Sequence, residues 1–278
     1  MKITVLVENT GKEPLKCEHG LSLLIEFQNE RYLLDAGTTD IFMDNARMLD
    51  LNIMDIKTCV LSHGHYDHSG GLGTYLKENK EAIVYAMDSA DREYYSGSGE
   101  WHEIGIPKMV LEEHKKRFYY VDKVTEIAKN VYLVPHCTKG LAQIGERAKL
   151  YVKQGDTCLP DDFSHELSLV FETTKGLVIF NSCSHGGVQN IVAEVQDALP
   201  KKKIYAYIGG LHMKGKQGGK EISTFSQKEI ESLIDYLKRC GIDYLYTGHC
   251  TGKPAFDLLQ TYGGKMIQEL TTGRIIVL

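Results

Sequence analysis

No stretch of this chain is long and apolar enough to cross a bilayer. Its apolar runs, such as those at 57–61 and 176–180, fall far short of the roughly 20 residues a spanning helix needs. The N-terminus, MKITVLVENT, passes directly from Lys2 into an alternating strand pattern and lacks the apolar segment and cleavage site of a secretory leader. Prolines number only 6, and nothing reads as a linker, so residues 1–278 are expected to form a single domain. The 7 cysteines are odd in number and irregularly spaced, which points to reduced thiols in a cytoplasmic protein rather than a disulfide framework. Positive charge is not in surplus: the net charge of -5 argues against a broad nucleic-acid-binding face. Nor is there a Walker loop, because the glycine-to-lysine spacing is wrong.

What is present is an α/β rhythm. Strands are expected at 3–7, 22–27 and 32–34 (a hairpin around Asn29 and Glu30), 57–61 and 82–87, with helical patterns near 41–49 and 71–78. A second half repeats the logic, with strands at 131–134, 167–172, 176–180, 204–208 and 244–246. Helices are expected from about 188, over 226–240 and near 254–262. The 226–240 helix is the best marked: Ser226 and Glu229 form a capping-box signature, and Ile230, Leu233, Ile234 and Leu237 share one face. Mixed strands followed by helices in each half predict two sheets with helices outside. The segment at about 88–107 breaks the rhythm. It reads as an insertion loop whose Tyr94, Tyr95 and Trp101 could cover a pocket and stack on a flat substrate.

The chemistry announces itself at 61–71, LSHGHYDHSGG, where His63, His65, Asp67 and His68 crowd into six positions at the end of an expected buried strand. Buried imidazoles need a partner on each polar nitrogen, so such a cluster is hard to account for as core and easy to account for as metal ligands. His185 in NSCSHGG and His249 in YTGHCTG repeat the pattern of a strand followed by a histidine in a small-residue loop, and are further ligand candidates. Asp35, ending a strand in LLDAG, is placed to accept the free ring N–H of a ligand histidine. His165 and Glu166 are candidate ligands or orienting groups, with Asp161 and Asp162 just upstream, and Cys183 is a candidate thiolate or small buried filler. His212 also follows a strand. The glycine tract after it carries Lys214, Lys216 and Lys220, which could hold a phosphate or carboxylate, or simply be solvated.

HGHYDH resembles the HxHxDH signature of the metallo-β-lactamase superfamily, with Asp35, His185 and His249 in recognisable order around it. The resemblance implies a four-layer αβ/βα sandwich and a dinuclear zinc, iron or manganese site. In that site His63 and His65 would hold one metal, and Asp67 and His68 the other, with His249. The pattern departs from most members in lacking an aspartate that bridges the metals, so His185 or Glu166 is expected to fill that role. The segments CEHGLSLLIE, DDFSHELSLV, CSHGGVQNIV, GGLH and GHCTG resemble a branch labelled metal-dependent hydrolase or 7,8-dihydropterin-6-ylmethyl-4-(β-D-ribofuranosyl)aminobenzene-5'-phosphate synthase.

The expected activity is therefore hydrolysis of a small anionic phosphoester or carboxyl-type substrate by a metal-held hydroxide. Two divalent ions, zinc foremost with iron or manganese as alternatives, lower the pKa of a shared water. Asp67 is expected to orient the nucleophile, and His212 or the nearby lysines to stabilise the developing oxyanion. The alternatives are a dihydropterin synthase-like transferase and a non-catalytic metal-binding or sensor protein, the latter requiring a site closed by protein ligands.

Overall fold

A computed structural model describes residues 1–97 and 100–278. The chain divides into two compact units. The first comprises Met1–Lys123, Pro135–Leu167 and Thr271–Leu278; the second comprises Val124–Val134 and Ser168–Leu270.

The first unit is organised around a seven-stranded sheet in the order Ile275–Val277, Lys2–Val7, Ser22–Phe27, Glu30–Leu34, Thr58–Val60, Ile83–Met87 and Phe118–Val121. The early strands pair antiparallel, and the hairpin expected around Asn29 and Glu30 turns one residue earlier, at Gln28 and Asn29, both at positive φ as a tight two-residue turn demands. From Glu30–Leu34 onward the pairs are parallel. Parallel strands need crossovers, and the helices Ile41–Met48 and Leu72–Glu78 lie between them. Parallel pairing also gathers the carboxyl ends of three strands at one edge, where Asp35, the 61–71 run and Ala90 emerge, the usual position of a site in such sheets.

The second unit's sheet runs Ile267–Glu269, Tyr244–Thr247, Ile204–Ile208, Gly176–Phe180, Leu167–Thr173, Val131–Pro135 and Thr125–Ala128. Its first four strands are parallel, so the loops bearing Cys183 and His185, His212, and His249 leave from a common edge. The helix Gln227–Arg239 has the expected capping box, with Ser226 and Glu229 satisfying each other's backbone N–H groups. Its Ile230, Leu233, Ile234 and Leu237 join Val192, Val195, Tyr207 and Leu245 in the core.

Two expected loops contain regular structure. The 88–107 segment, of which residues 98 and 99 lie outside the described residues, supplies the strands Tyr94–Ser96 and His102–Glu103 to a four-stranded sheet with Leu150–Gln154 and Thr157–Pro160. The tract after His212 is a hairpin, Lys214–Gln217 paired with Lys220–Ser223 and turning at Gly218 and Gly219, both at positive φ. In both cases the pairing partner is what was invisible locally: a strand far along the chain, and a turn that looked like a mobile glycine tract.

Candidate functional site

In the first unit, the Thr58–Val60 strand ends and the chain passes through Ser62, His63, Gly64 and His65 into the short helix Tyr66–Ser69. Asp35 organises this turn from the neighbouring strand's end. Its side chain is fully buried; Oδ1 accepts from the Ser62 backbone N–H at 2.8 Å, and Oδ2 accepts from Ser62 Oγ at 2.7 Å. His68 Nδ1 lies 2.7 Å from the same Oδ2 and, facing a carboxylate, must donate to it. Because Ser62 Oγ gives its one proton to Asp35, it accepts from His63 Nδ1 at 2.9 Å. One buried carboxylate thus fixes the tautomers of two histidines. Both carry their proton on Nδ1 and present the Nε2 lone pair, as a metal ligand requires.

His65 is buried, and burial pushes its pKa down to about 3. Its ring is therefore neutral and a potential donor to metal at ordinary pH. Asp67 Oδ2 lies 3.7 Å from His68 Nε2 and 3.2 Å from Nε2 of His19, a half-exposed residue in CEHG. The His19 loop is tied down by Glu18, whose Oε1 accepts from the backbone N–H groups of Thr38 and Thr39, both at 3.0 Å. His165 and Asp161 are also buried in this unit. They lie so close to His65 that the three residues each offer a ligand atom within 4.8 Å of the others.

The second unit carries its own group. A ring nitrogen of His185 and one of His249 each lie within 4.8 Å of Cys183 Sγ, and all three residues are buried. The His185 and His212 rings stand 4.3 Å apart. The His212 backbone N–H points at Cys250 Sγ, 3.3 Å away. Burial alone would raise the Cys250 thiol, but hydrogen bonds from Cys183 and His212 and the charges of His249 and His212 hold it well below the usual range. His212 Nδ1 is buried and has no hydrogen-bond partner among the described residues. Three loop residues of this unit, Ser184 at φ 55°, His212 at 47° and His249 at 51°, adopt left-handed backbone, as does Asp35 at 58° in the first. That conformation costs a non-glycine residue energy and concentrates at functional sites.

The donor set fits divalent metal: neutral imidazoles with assigned lone pairs, a carboxylate and buried thiols. His63, His65, Asp67, His68 and Asp35 are brought together in the first unit, and Cys183, His185, His212 and His249 in the second. The substrate-contact candidates fare unevenly. Tyr94 is buried, its hydroxyl donating to the Ser89 carbonyl at 2.8 Å, whereas Tyr95 is half-buried and Trp101 is exposed against the edge of Tyr151. Lys214 is paired with Glu221 at 3.3 Å, Lys216 and Lys220 are exposed on the hairpin, and Glu166 is buried with its backbone N–H donating to the Phe163 carbonyl. Sequence reasoning missed Ser62 and His19. Ser62 has no distinguishing pattern, but His19 stands in a segment already resembling the family's and was recoverable there.

A family model described as the metallo-beta-lactamase superfamily matches residues 15–133. A 7,8-dihydropterin-6-methyl-4-(beta-D-ribofuranosyl)-aminobenzene-5'-phosphate synthase of Methanocaldococcus jannaschii is 28% identical, over 99% of this chain and 96% of that protein. The crystal structure of Tm1679, a metal-dependent hydrolase of the β-lactamase superfamily, matches with a TM-score of 0.82 and 28% identity, over 100% of this chain and 99% of that one. A diphosphatase from the PhnP family shares the fold at a TM-score of 0.55 and 14% identity, over 100% of this chain and 97% of that one.

Proposed function

We propose, from the metallo-β-lactamase superfamily fold that this chain has, that it is a metal-dependent hydrolase of a small anionic phosphoester or carboxyl-type substrate. The observation that carries the reading is the Asp35 relay, which sets the tautomers of His63 and His68 so that each offers Nε2. The ligands in this reading are His63, His65, Asp67 and His68 from the first unit and His185 and His249 from the second, with Cys183 available as a thiolate. The ions are two in number, zinc foremost and iron or manganese as alternatives, and residues 1–278 act as one domain in the cytoplasm.

Divalent ions lower the pKa of bound water and offset the negative charge of an ester substrate. The protein's own residues do the rest. Asp67 orients the attacking water through its carboxylate, itself steadied by His19 at 3.2 Å. The buried Nδ1 of His212, without a hydrogen-bond partner among the described residues, supports a role in donating to the oxyanion as charge develops. Lys216 and Lys220, exposed on their hairpin, would attract the anionic substrate, with Lys214 partly neutralised by Glu221. Tyr95 and Trp101 remain able to touch a flat ring, whereas Tyr94 serves as a wall inside the fold.

A second reading, a dihydropterin synthase-like transferase, is favoured by the near full-length likeness to the Methanocaldococcus jannaschii synthase. There the site would hold the diphosphate of an activated pterin while an arylamine attacks its methylene carbon and diphosphate leaves. Elemental analysis with a screen of phosphomonoesters, phosphodiesters, lactones and thioesters tests the hydrolase. If all four classes are inert and diphosphate is released only when both pterin and arylamine are present, the transferase replaces it.

A further inference from the structure

We propose that His165, together with Asp161, is a positioning residue that clamps the ligand turn through the Gly64 amide, and is not itself a metal ligand. The inference rests on the reading of His63 and His65 as ligands. The clustering of His65, Asp161 and His165 within 4.8 Å invites a different conclusion, that these three hold an ion of their own. Hydrogen bonding decides against it. Gly64 N–H donates to His165 Nδ1 at 2.9 Å, and a backbone N–H can only donate, so Nδ1 is the unprotonated nitrogen. The proton of the neutral ring then sits on Nε2, which lies 3.0 Å from Asp161 Oδ2 and donates to it. Both ring nitrogens are committed, and no lone pair remains for metal. Asp161 is fixed in turn, its Oδ1 accepting from the Phe163 N–H at 2.8 Å.

Gly64 sits between His63 and His65, so the plane of its amide sets the directions in which both rings leave the backbone. The residue is held from two sides. A Cβ at Gly64 would meet the Ala90 carbonyl oxygen at 2.3 Å, so the neighbouring chain closes over its Cα while His165 holds its N–H. The His165 ring stacks on Tyr94, with centroids 4.0 Å apart and planes at 30°. Ser89 joins the same assembly, accepting from Tyr94 on its carbonyl and donating from Oγ to the Ser164 carbonyl at 2.9 Å. The segment expected to cover a substrate thus braces the ligand turn from behind.

The test uses two substitutions that divide the imidazole's functions. In H165N the side-chain oxygen falls near the position of Nδ1 and can accept from Gly64, whereas H165Q places its amide near Nε2 and leaves the Gly64 N–H without an acceptor. Zinc affinity is measured by chelator competition, with kcat and KM recorded alongside. H165Q is expected to lose about 10- to 100-fold in affinity, as supporting partners of ligand histidines do, and H165N to recover most of it. Equal affinity of H165Q and wild type, or no recovery in H165N, overturns the proposal. Should either variant fail to fold, wild-type protein with ¹⁵N-labelled histidine and bound cadmium decides the matter. His165 is expected to keep its proton on Nε2 and show no metal–nitrogen coupling, and coupling there overturns the clamp. A wild-type protein that binds no divalent ion overturns the metal reading itself, whereas tight wild-type binding unchanged in H165Q overturns only the positioning role.

Discussion

Asp35→Asn is the sharpest perturbation of the ligand set, because it changes proton positions while leaving shape almost untouched. Asp35 offers two oxygens to three donors: the Ser62 N–H at 2.8 Å, Ser62 Oγ at 2.7 Å and His68 Nδ1 at 2.7 Å. Asparagine has one oxygen. Keeping it on the Ser62 N–H turns the amide NH₂ toward Ser62 Oγ and His68 Nδ1. His68 must then accept on Nδ1 and carry its proton on Nε2. The Ser62 hydroxyl, now accepting from the amide, turns its proton toward His63 Nδ1 and reverses that tautomer too. Both presented lone pairs are lost without breaking a hydrogen bond. Losing supporting groups of this kind lowers metal affinity by about 10- to 100-fold, equivalent to about 1.4–2.8 kcal/mol. The metal-free protein keeps its number of hydrogen bonds and loses only their charge assistance, on the order of 1 kcal/mol. Chelator competition and thermal melting of the metal-free protein are therefore expected to diverge, affinity falling far more than stability. Ser62→Ala, which removes the acceptor for His63 and one of the three donors to Asp35 but leaves His68 on the carboxylate, should fall between Asp35→Asn and wild type. Wild-type zinc affinity in Asp35→Asn, or histidine ¹⁵N shifts still reporting Nδ1–H at both rings, would refute the reasoning.

Asp67→Ala is expected to abolish hydrolysis of whichever ester the screen identifies while leaving the fold intact by circular dichroism; retained turnover in reloaded protein would remove Asp67 from the mechanism. Gly64→Ala drives a methyl into the Ala90 carbonyl oxygen, which a Cβ would meet at 2.3 Å, so the ligand turn must shift and metal affinity fall. Unchanged affinity would show that the turn tolerates the shift. His65 has a folded pKa depressed from 6.5 to about 3, so the unfolded chain binds the proton first. The stability this contributes to metal-free protein is complete above about pH 6.5 and lost as pH falls toward 3, at no more than about 1.4 kcal/mol per pH unit. Denaturant titrations of His65→Gln should show a shallower acid slope than wild type, and an identical slope would contradict it. Ser226→Ala removes the side-chain half of the capping box, leaving the Glu229 carboxylate on the backbone N–H of residue 226, and should cost about 1 kcal/mol of stability, with no change in metal affinity.

Much of the frame was legible because it is written in local periodicity. The strand ending at Val60, the hairpin at Gln28 and Asn29 and the capped Gln227–Arg239 helix are each set by residues within a few positions of one another. The 61–71 cluster was legible for the same reason, since core packing seldom crowds four ligand-type residues into six positions. What the local pattern hides depends on partners distant in sequence. The strand Tyr94–Ser96 exists because Leu150–Gln154 pairs with it, and no feature of the tyrosines reveals that. His165 read as a possible ligand because its chemistry permits it. Only the Gly64 amide, 101 residues away, shows that both nitrogens are already used. Asp35 was expected to accept a ring N–H from a histidine of the cluster, and His68 Nδ1 lies 2.7 Å from it, but its reach to His63 passes through Ser62, a residue type too common to stand out.

The central claim, a hydrolase whose activity depends on divalent metal, is tested most directly by one titration. Protein stripped by chelator is reloaded stepwise with zinc, manganese or iron while turnover of a chromogenic phosphodiester, or of the best substrate from the screen, is followed. The account predicts no turnover without metal, recovery that saturates at two ions per chain, and no recovery in Asp67→Ala at any loading. Turnover that survives full metal removal, or fully loaded protein that hydrolyses none of the four ester classes, would contradict it.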